Sequence, residues 1–456
     1  MIKRLLYILL LSFSFTSILL VPGEYSTIQS AIDASSDGDT ILVSAGTYYE
    51  NYLMMYNKSL TIIGEDPNTT ILDGQSGSNE EYNRCFYVDS PFGTSFEIEN
   101  FTIANYNDPD GSAFHLNGGN VSINNCIIRD NTANNSIIYI DDGNTGNVNV
   151  SITKTLISDN TTTTSSGNYA AIVTYNNVNL SLDFVTVANN VKNGLISREA
   201  TSYHTITNSI FYNPDAEEEI GRRASGAIMD ISYTSLGSVV PGCDNSDEYI
   251  CNEVIIGSPQ LNDNYVLQPH SPCIDSGDPT SELDPDGTRA DMGAYSFFQY
   301  PDIEFTSPAG GETWYTDSTY TIEWEGGNPD GEVKIALIDE DAGTMEMDIT
   351  ITPNNGTYDW VATIDENQSF GYGTKRLYIE DTPGSNYWGY SNEFIIDRLP
   401  ITINVPDDFA TIQEAIDYSM DGDSILVSAG TYNENINFNG KNISVIGEDR
   451  ETTTIN

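Results

Sequence analysis

The sequence predicts an all-β protein built as a parallel β-solenoid, a β-sandwich and the start of a second solenoid. Three observations carry that expectation. A 31-residue block, VPGEYSTIQSAIDASSDGDTILVSAGTYYEN at 21–51, returns at 405–435 with 22 identical positions. Inside the first module a shorter unit recurs every 24 to 30 residues. The composition, with 37 Gly, 28 Tyr and abundant Asn, Ser and Thr, favours strands and tight turns, and no long stretch shows helical periodicity.

Lys3 and Arg4 precede an apolar run at 5–11, extended by Phe13 and Phe15. This reads as an export signal over 1–17, with the small residues Ser12, Ser14 and Ser17 near the cleavage point. No other segment is apolar enough to cross a bilayer, so no transmembrane span is expected after signal removal. The solenoid is expected over 18–300. At its start TIQSAIDAS places Ile28, Ala31 and Ile32 at helical spacing behind Thr27 as N-cap. A short amphipathic helix there would cover the first coil and block edge pairing. The strand TILVSAG follows, and Gly46 ends it.

The coils themselves read FEIENFTIANYN (96), VSINNCIIRDNT (121), VSITKTLISDNT (150), LSLDFVTVANNV (180) and HTITNSIFYNPD (204). Each carries an aliphatic residue (Ile98, Ile123, Ile152, Leu182, Ile206) and a second apolar residue five positions on (Ile103, Ile128, Ile157, Val187, Phe211). Two residues later stands a short polar side chain: Asn105, Asp130, Asp159, Asn189 or Asn213. Stacked coils of this kind share one apolar core, and aligned amides can hydrogen-bond along the stack. The uneven spacing places length variation in loops along one edge. Residues 257–297 break the period and are expected to form a terminal cap.

Residues 301–398 change character. IEFTSP, TYTIEWEG, VKIALIDE, MDITITP, GTYDWVAT, KRLYIEDT and SNEFIID are seven short strands separated by turns, the pattern of a β-sandwich, and all four Trp lie here. Trp324 and Trp360 alternate with apolar neighbours as core residues do. Residues 399–456 begin the second solenoid, which stops at Asn456 where the first copy continues through further coils. The second module is therefore expected to be cut short, with a C-terminal region and any surface anchor lying beyond it. Among five cysteines, Cys243 and Cys251 flank the polar loop DNSDEYI and form the best disulfide pair, while Cys126 and Cys273 sit in apolar contexts.

With VP-x-x-(Y/F)-x-TIQ-x-AID-x-x-x-DGD and VSAGTY-x-EN in both copies, the chain resembles secreted bacterial right-handed parallel β-helix proteins, the broad pectate-lyase-like superfamily. The resemblance covers about 21–300 and 405–456, and SPCIDSGDP with DPDGTRADMGAY resembles the cap of multi-module exported members. SPAGGETWYTDSTYTIEWEGG with NNGTYDW is similar to the Kre9/Knh1-like, Ser-Thr-rich Ig-like module of cell-surface proteins. These resemblances imply right-handed coils, an Ig-like sandwich and an extracellular or cell-surface location. They do not imply an activity, because one fold hosts catalytic and non-catalytic members.

Charge narrows the function. With 67 Asp and Glu against 17 Lys and Arg the net charge is −50, which excludes a nucleic-acid binder and fits a secreted protein in salty or calcium-containing water. Lyases of the superfamily use an Arg or Lys base, and Arg129 and Lys154 fall on neighbouring coils. Their columns otherwise hold Ser158, Ala188, Asn125 and Asn208, the pattern of solvated positions. Hydrolases need paired carboxylates, which Asp130, Asp141 and Asp142 offer, although DDGN is also an ordinary turn. The Gly-His-Gly and Arg-Ile-Lys elements of polygalacturonases are absent, and His115, His204 and His270 are scattered. Asp284, Asp286 and Asp291 surround a Gly-containing turn suited to calcium or to simple turn capping. Tyr387, Trp388 and Tyr390 lie in the loop GSNYWGYSN, where rings either stack on sugars or fold back on the sandwich.

The expectation is a non-catalytic scaffold or adhesion protein that contacts extracellular or cell-wall polysaccharide, or a neighbouring cell surface. Polysaccharide lyase or glycoside hydrolase chemistry is the alternative. Duplication of a module favours binding, which gains avidity from tandem copies.

Overall fold

The computed structural model describes residues 16–76, 83–90, 93–143, 146, 148–164, 167–199, 201–238, 243, 248–339, 345–364, 371–382 and 387–456. Most of the expected export signal, residues 1–15, falls outside them. The chain divides into two compact units, Met1–Gln299 and Tyr300–Asn456.

The first unit is a parallel β-helix with three faces. Face 1 stacks Ile18–Val21, Thr40–Val43, Leu60–Gly64, Ser95–Glu99, Asn120–Asn124, Val148–Thr153, Val178–Asp183 and Tyr203–Thr207, and ends in Ile228–Leu236 and Tyr249–Ile256. Face 2 runs from Gly46–Tyr48 through Thr102–Ala104, Ile127–Arg129, Leu156–Ser158 and Thr186–Ala188 to Ile210–Tyr212. Face 3 runs from Leu53–Tyr56 through Asn107–Asn117 and Thr132–Asp141 to Ile220–Arg222. The strand ladders between described coils are parallel, with register shifts on face 3 between Asp108 and Phe114; Ile98, Ile123, Ile152, Leu182 and Ile206 form one column. All five are fully buried, so stacking one coil on the next removes a continuous aliphatic surface from water.

Two corners are fixed and one is not. Between faces 1 and 2 a single residue takes positive φ: Asn100, Asn125, Lys154, Phe184 and Asn208. Between faces 2 and 3 Asn105, Asp130, Asp159 and Asn189 do the same. Asn and Asp tolerate this left-handed conformation better than other residues with a Cβ. Length variation therefore collects along face 3 and its return to face 1. Four of the five expected positions are displaced by one residue from the sequence reading, and the fifth, Asn213, lies in the buried ladder as expected. Asn105, Asp130, Asp159 and Asn189 make the turn, and the next residue points inward. The buried ladder is Asn131, Asn160, Asn190 and Asn213, each amide donating to the next, and Asn213 donating to the buried carboxylate of Glu219 (2.7 Å).

Helix α1 (Ile28–Ala34) closes the first coil, with Thr27 as N-cap in a capping box with Ser30. The next coil grips both ends of α1. The Glu50 carboxylate accepts the N–H groups of Ile28 (2.7 Å) and Gln29 (3.0 Å), and Lys58 Nζ donates to the Ile32 carbonyl (2.8 Å). The second copy repeats this on α2 (Ile412–Tyr418) with Glu434 and Lys441. The long sequence repeat thus records a folding device, the coil that starts each solenoid. Ser17 belongs to that coil, because its N–H donates to Asp39 (2.7 Å).

The segment expected to cap the far end lies instead along the side. Residues 258–299 run over face 2: the Tyr265 hydroxyl donates to Asp159 (2.6 Å), and the Ala294 N–H donates to Thr186 Oγ1 (2.9 Å). The N–H of Gly293 donates to the Asn208 carbonyl (2.7 Å). Ile210, Leu267, Cys273 and Met292 form a separate apolar cluster under this strap. Cys243 and Cys251 are disulfide-bonded with Cα atoms 5.5 Å apart, whereas Cys85, Cys126 and Cys273 are buried free thiols.

The second unit holds the sandwich and the second solenoid start. A three-stranded and a six-stranded sheet enclose Trp314, Trp324 and Trp360 with Ile322, Ile335 and Phe394. Two short strands, Thr313–Tyr315 and Trp388–Tyr390, add to the seven expected from sequence. Thr402–Val405, Ser424–Val427 and Ser444–Gly447 then stack in parallel as the opening strands of face 1 do. No helix of the described residues is long and apolar enough to cross a membrane.

Candidate functional site

Two surfaces gather the side chains that the sequence singles out. The first is a cavity of about 650 Å³ between the strap and the corner joining faces 1 and 2. Lys154, Asp183 and Phe184 line one side of it, and Ser281, Leu283, Asp284, Pro285, Asp291 and Ala294 the other. Lys154 and the Asp284–Asp291 pair come from sequence motifs more than a hundred residues apart, and the strap brings them together. Among the described residues no carboxylate lies within salt-bridge distance of Lys154.

The carboxylates differ in what they already bind. One Asp183 oxygen accepts from Asn208 Nδ2 (2.8 Å), and one Asp284 oxygen accepts the Asp291 N–H (2.9 Å). The Asp291 carboxyl also hydrogen-bonds to Asp284. Asp291 is engaged on both sides, by the N–H groups of Asp275 (2.7 Å) and Phe297 (2.6 Å). Burial raises the pKa of Asp183 and Asp284 and pushes Asp291 up to about 6, with the neighbouring charges of Asp284 and Asp275 adding to the effect. Asp286 faces elsewhere, accepting from Thr288 and from the Gln299 N–H (2.7 Å). These three aspartates knit the strap, and among the described residues no group of three His, Cys, Asp or Glu side chains is placed to hold a metal ion.

The other catalytic candidates occupy different corners. Arg129 ends a face 2 strand and pairs with its exposed neighbour Asp130 (2.5 Å). Asp141 and Asp142 sit where face 3 returns to face 1. Asp141 accepts from Tyr139, Gly143 and Asn176, and the buried Asp142 accepts from Asn177 (2.8 Å). Both are turn-fixing bonds. On face 3 Tyr52, Tyr87, His115 and Tyr139 stack with ring centroids 4.5 to 5.5 Å apart, so each ring largely covers its neighbour's face.

The second surface is on the sandwich. Trp388 and Tyr390 lie on a strand that pairs with Gly373–Thr382, not in a loop, and alternation turns both outward, 54% and 50% exposed. Their ring centroids are 5.7 Å apart, and Tyr378 packs behind Tyr390 at 5.1 Å. Tyr387 faces the other way, its hydroxyl accepting the Tyr300 N–H (3.1 Å) against the core.

Sequence reasoning missed Asp183 and Phe184. The signal was present: the corner column reads Asn at 100, 125 and 208, and departs to Lys154 and Phe184 at the two positions that line the cavity.

Fold and surfaces together define a parallel β-helix protein carrying a β-sandwich. No protein-family model matches the chain, and no curated protein matches its sequence.

Proposed function

We propose that the protein is a secreted or cell-surface module that binds extracellular or cell-wall polysaccharide, or the glycan coat of a neighbouring cell, without transforming it. The observation that carries this reading is the outward pair Trp388 and Tyr390, backed by Tyr378. Adjacent half-exposed rings bury apolar sugar faces while their polar edges stay wet. The motifs shared with secreted pectate-lyase-like β-helix proteins and Kre9/Knh1-like modules support an extracellular setting, as does the basic and apolar N-terminus. The net charge of −50 keeps nucleic acid out of the partner set.

The alternative, a polysaccharide lyase or glycoside hydrolase, requires acid and base around one cleft. Against it stands the distribution of Lys154, Arg129–Asp130 and Asp141–Asp142 over three separate corners. The full chain should sediment with insoluble polysaccharides, and Trp388→Ala/Tyr390→Ala should weaken that binding by about tenfold or more. Unsaturated-uronide absorbance and new reducing ends should stay at background in the same samples. A double variant that binds as well as the parent would sink the reading, and product formation would replace it with the enzyme.

A further inference from the structure

The opening coils of the two solenoids hold the same buried carboxylate with different partners. Asp39 and Asp423 occupy one position of the repeated block and are 5% and 1% exposed. Asp423 accepts the N–H groups of Ile401 and Met420 (both 2.8 Å), and the Arg398 guanidinium donates to both of its oxygens. Asp39 accepts the matching N–H groups of Ser17 (2.7 Å) and Ser36 (2.8 Å), but among the described residues no cation pairs with it. The counterpart of Arg398 is Ser14, which lies outside the described residues and has no charge to offer. A carboxylate buried without a counter-charge is costly, and the second copy shows that this position takes a cation.

The Ser17 nitrogen already rests on Asp39, and it carries a charge once it is the first nitrogen of the chain. The Ser17 carbonyl accepts the Thr40 N–H (2.9 Å), whereas Thr16 makes no hydrogen bond among the described residues, so the chain joins the fold at Ser17. Thr16 and Ser17 are both exposed, within reach of a peptidase. Ser14 and Thr16 place small side chains third and first before the Thr16–Ser17 bond, the pattern trimmed during export.

We propose that the Thr16–Ser17 bond is the processing site of the exported chain, and that the ammonium group freed on Ser17 is the counter-ion of Asp39. Hydrolysis by the export peptidase adds water across the amide, leaving a carboxylate on Thr16 and an ammonium group on Ser17. A charged donor then replaces a neutral one on Asp39, so leader removal completes the first coil as Arg398 completes the second. This inference rests on the secreted reading and adds a proteolytic step to it.

Expression of the full chain in an export-competent bacterium, with N-terminal sequencing of the product, tests the site. Ser17 as first residue of protein recovered outside the cytoplasm is the expected result. Another first residue on exported protein would overturn the processing site and leave secretion standing. Retention in the cytoplasm with the leader intact would overturn both. Hydrogen exchange reads the ion pair separately, by comparing the processed chain 17–456 with 13–456, which keeps four native residues ahead of Ser17. Amides of Ile18–Val21 and Thr40–Val43 should exchange about tenfold faster in 13–456. Those of Thr402–Val405 and Ser424–Val427 keep their rates and serve as the reference. In Asp39→Asn the two starts should exchange alike, and Ser14→Arg in 13–456 should restore slow exchange by supplying the guanidinium of the second copy. Equal rates in 17–456 and 13–456, or a difference that persists in Asp39→Asn, would overturn the ion pair.

Discussion

Two asparagine ladders of the solenoid differ in burial. Asn160 is 1% exposed; its amide donates to the Ile128 carbonyl (2.9 Å) and to Asn190 (2.9 Å), and its oxygen accepts the Asn131 N–H (3.0 Å). Asn149 sits on the outer side of face 1, bonding to Asn120 (2.8 Å) and Asn179 (3.0 Å) in contact with water. Truncating Asn160 to Ala strands a buried carbonyl and a buried N–H, so it should cost about 3 kcal/mol. Asn149→Ala leaves groups that water can satisfy and should cost less than about 1 kcal/mol. Urea denaturation of both variants makes the comparison, and equal losses would mean that the inner ladder adds nothing beyond surface bonding. The same residues show why sequence located the ladder one position early in every coil but that of Asn213. RDNT, SDNT and ANNV each carry two short polar residues in a row. Alternation cannot say which one turns the corner and which one points in.

At the scale of elements, the most conspicuous sequence feature turned out to be about folding. Residues identical between the two copies hold a seven-residue helix that is too short to persist alone. Glu50 caps the helix start from the next coil, and Lys58 holds its end, each with the sign that the helix dipole favours. Glu50→Ala should therefore destabilise the first coil by about 2 kcal/mol. Because α2 in the same chain keeps Glu434, hydrogen exchange offers an internal reference: α1 amides should exchange faster while α2 amides do not change. Equal protection of both would show that packing of Ile28, Ala31 and Ile32 suffices. The helix, the coils and the sandwich were legible because each has its own hydrophobic period. The course of the strap was not, since 258–299 has no period and sequence order does not say which surface a loop covers. A trace of it stood in face 2, where the outward positions Leu156, Ala188 and Ile210 are apolar or small and are buried by the strap. The aromatic pair was legible as residues but not as geometry; alternation along Trp388–Tyr390 separates two outward rings from Tyr387 on the core side.

For the whole molecule the dominant physical fact is 67 acidic against 17 basic side chains. Self-repulsion of this size opposes the compact state and is long-ranged, so it responds to ionic strength rather than to any one contact. Several described acids add a pH-dependent part. Burial raises the folded-state pKa of Asp183, Glu219, Asp284 and Asp291 above the unfolded value, so each favours folding while protonated. Their contribution is fully present below the unfolded carboxylate range and is lost as pH rises through the folded values, Asp291 reaching about 6. The melting temperature should accordingly rise as pH falls from 7 toward 5, and at pH 7 it should rise with sodium chloride up to several hundred millimolar. Divalent salts separate screening from a specific site. With Asp284, Asp286 and Asp291 already accepting backbone N–H groups, calcium and magnesium at matched ionic strength should raise the melting temperature equally, and chelator should leave it unchanged. A calcium-specific rise reversed by chelator, and lost in Asp286→Asn, would instead place an ion in the strap and make calcium part of how the solenoid is held closed.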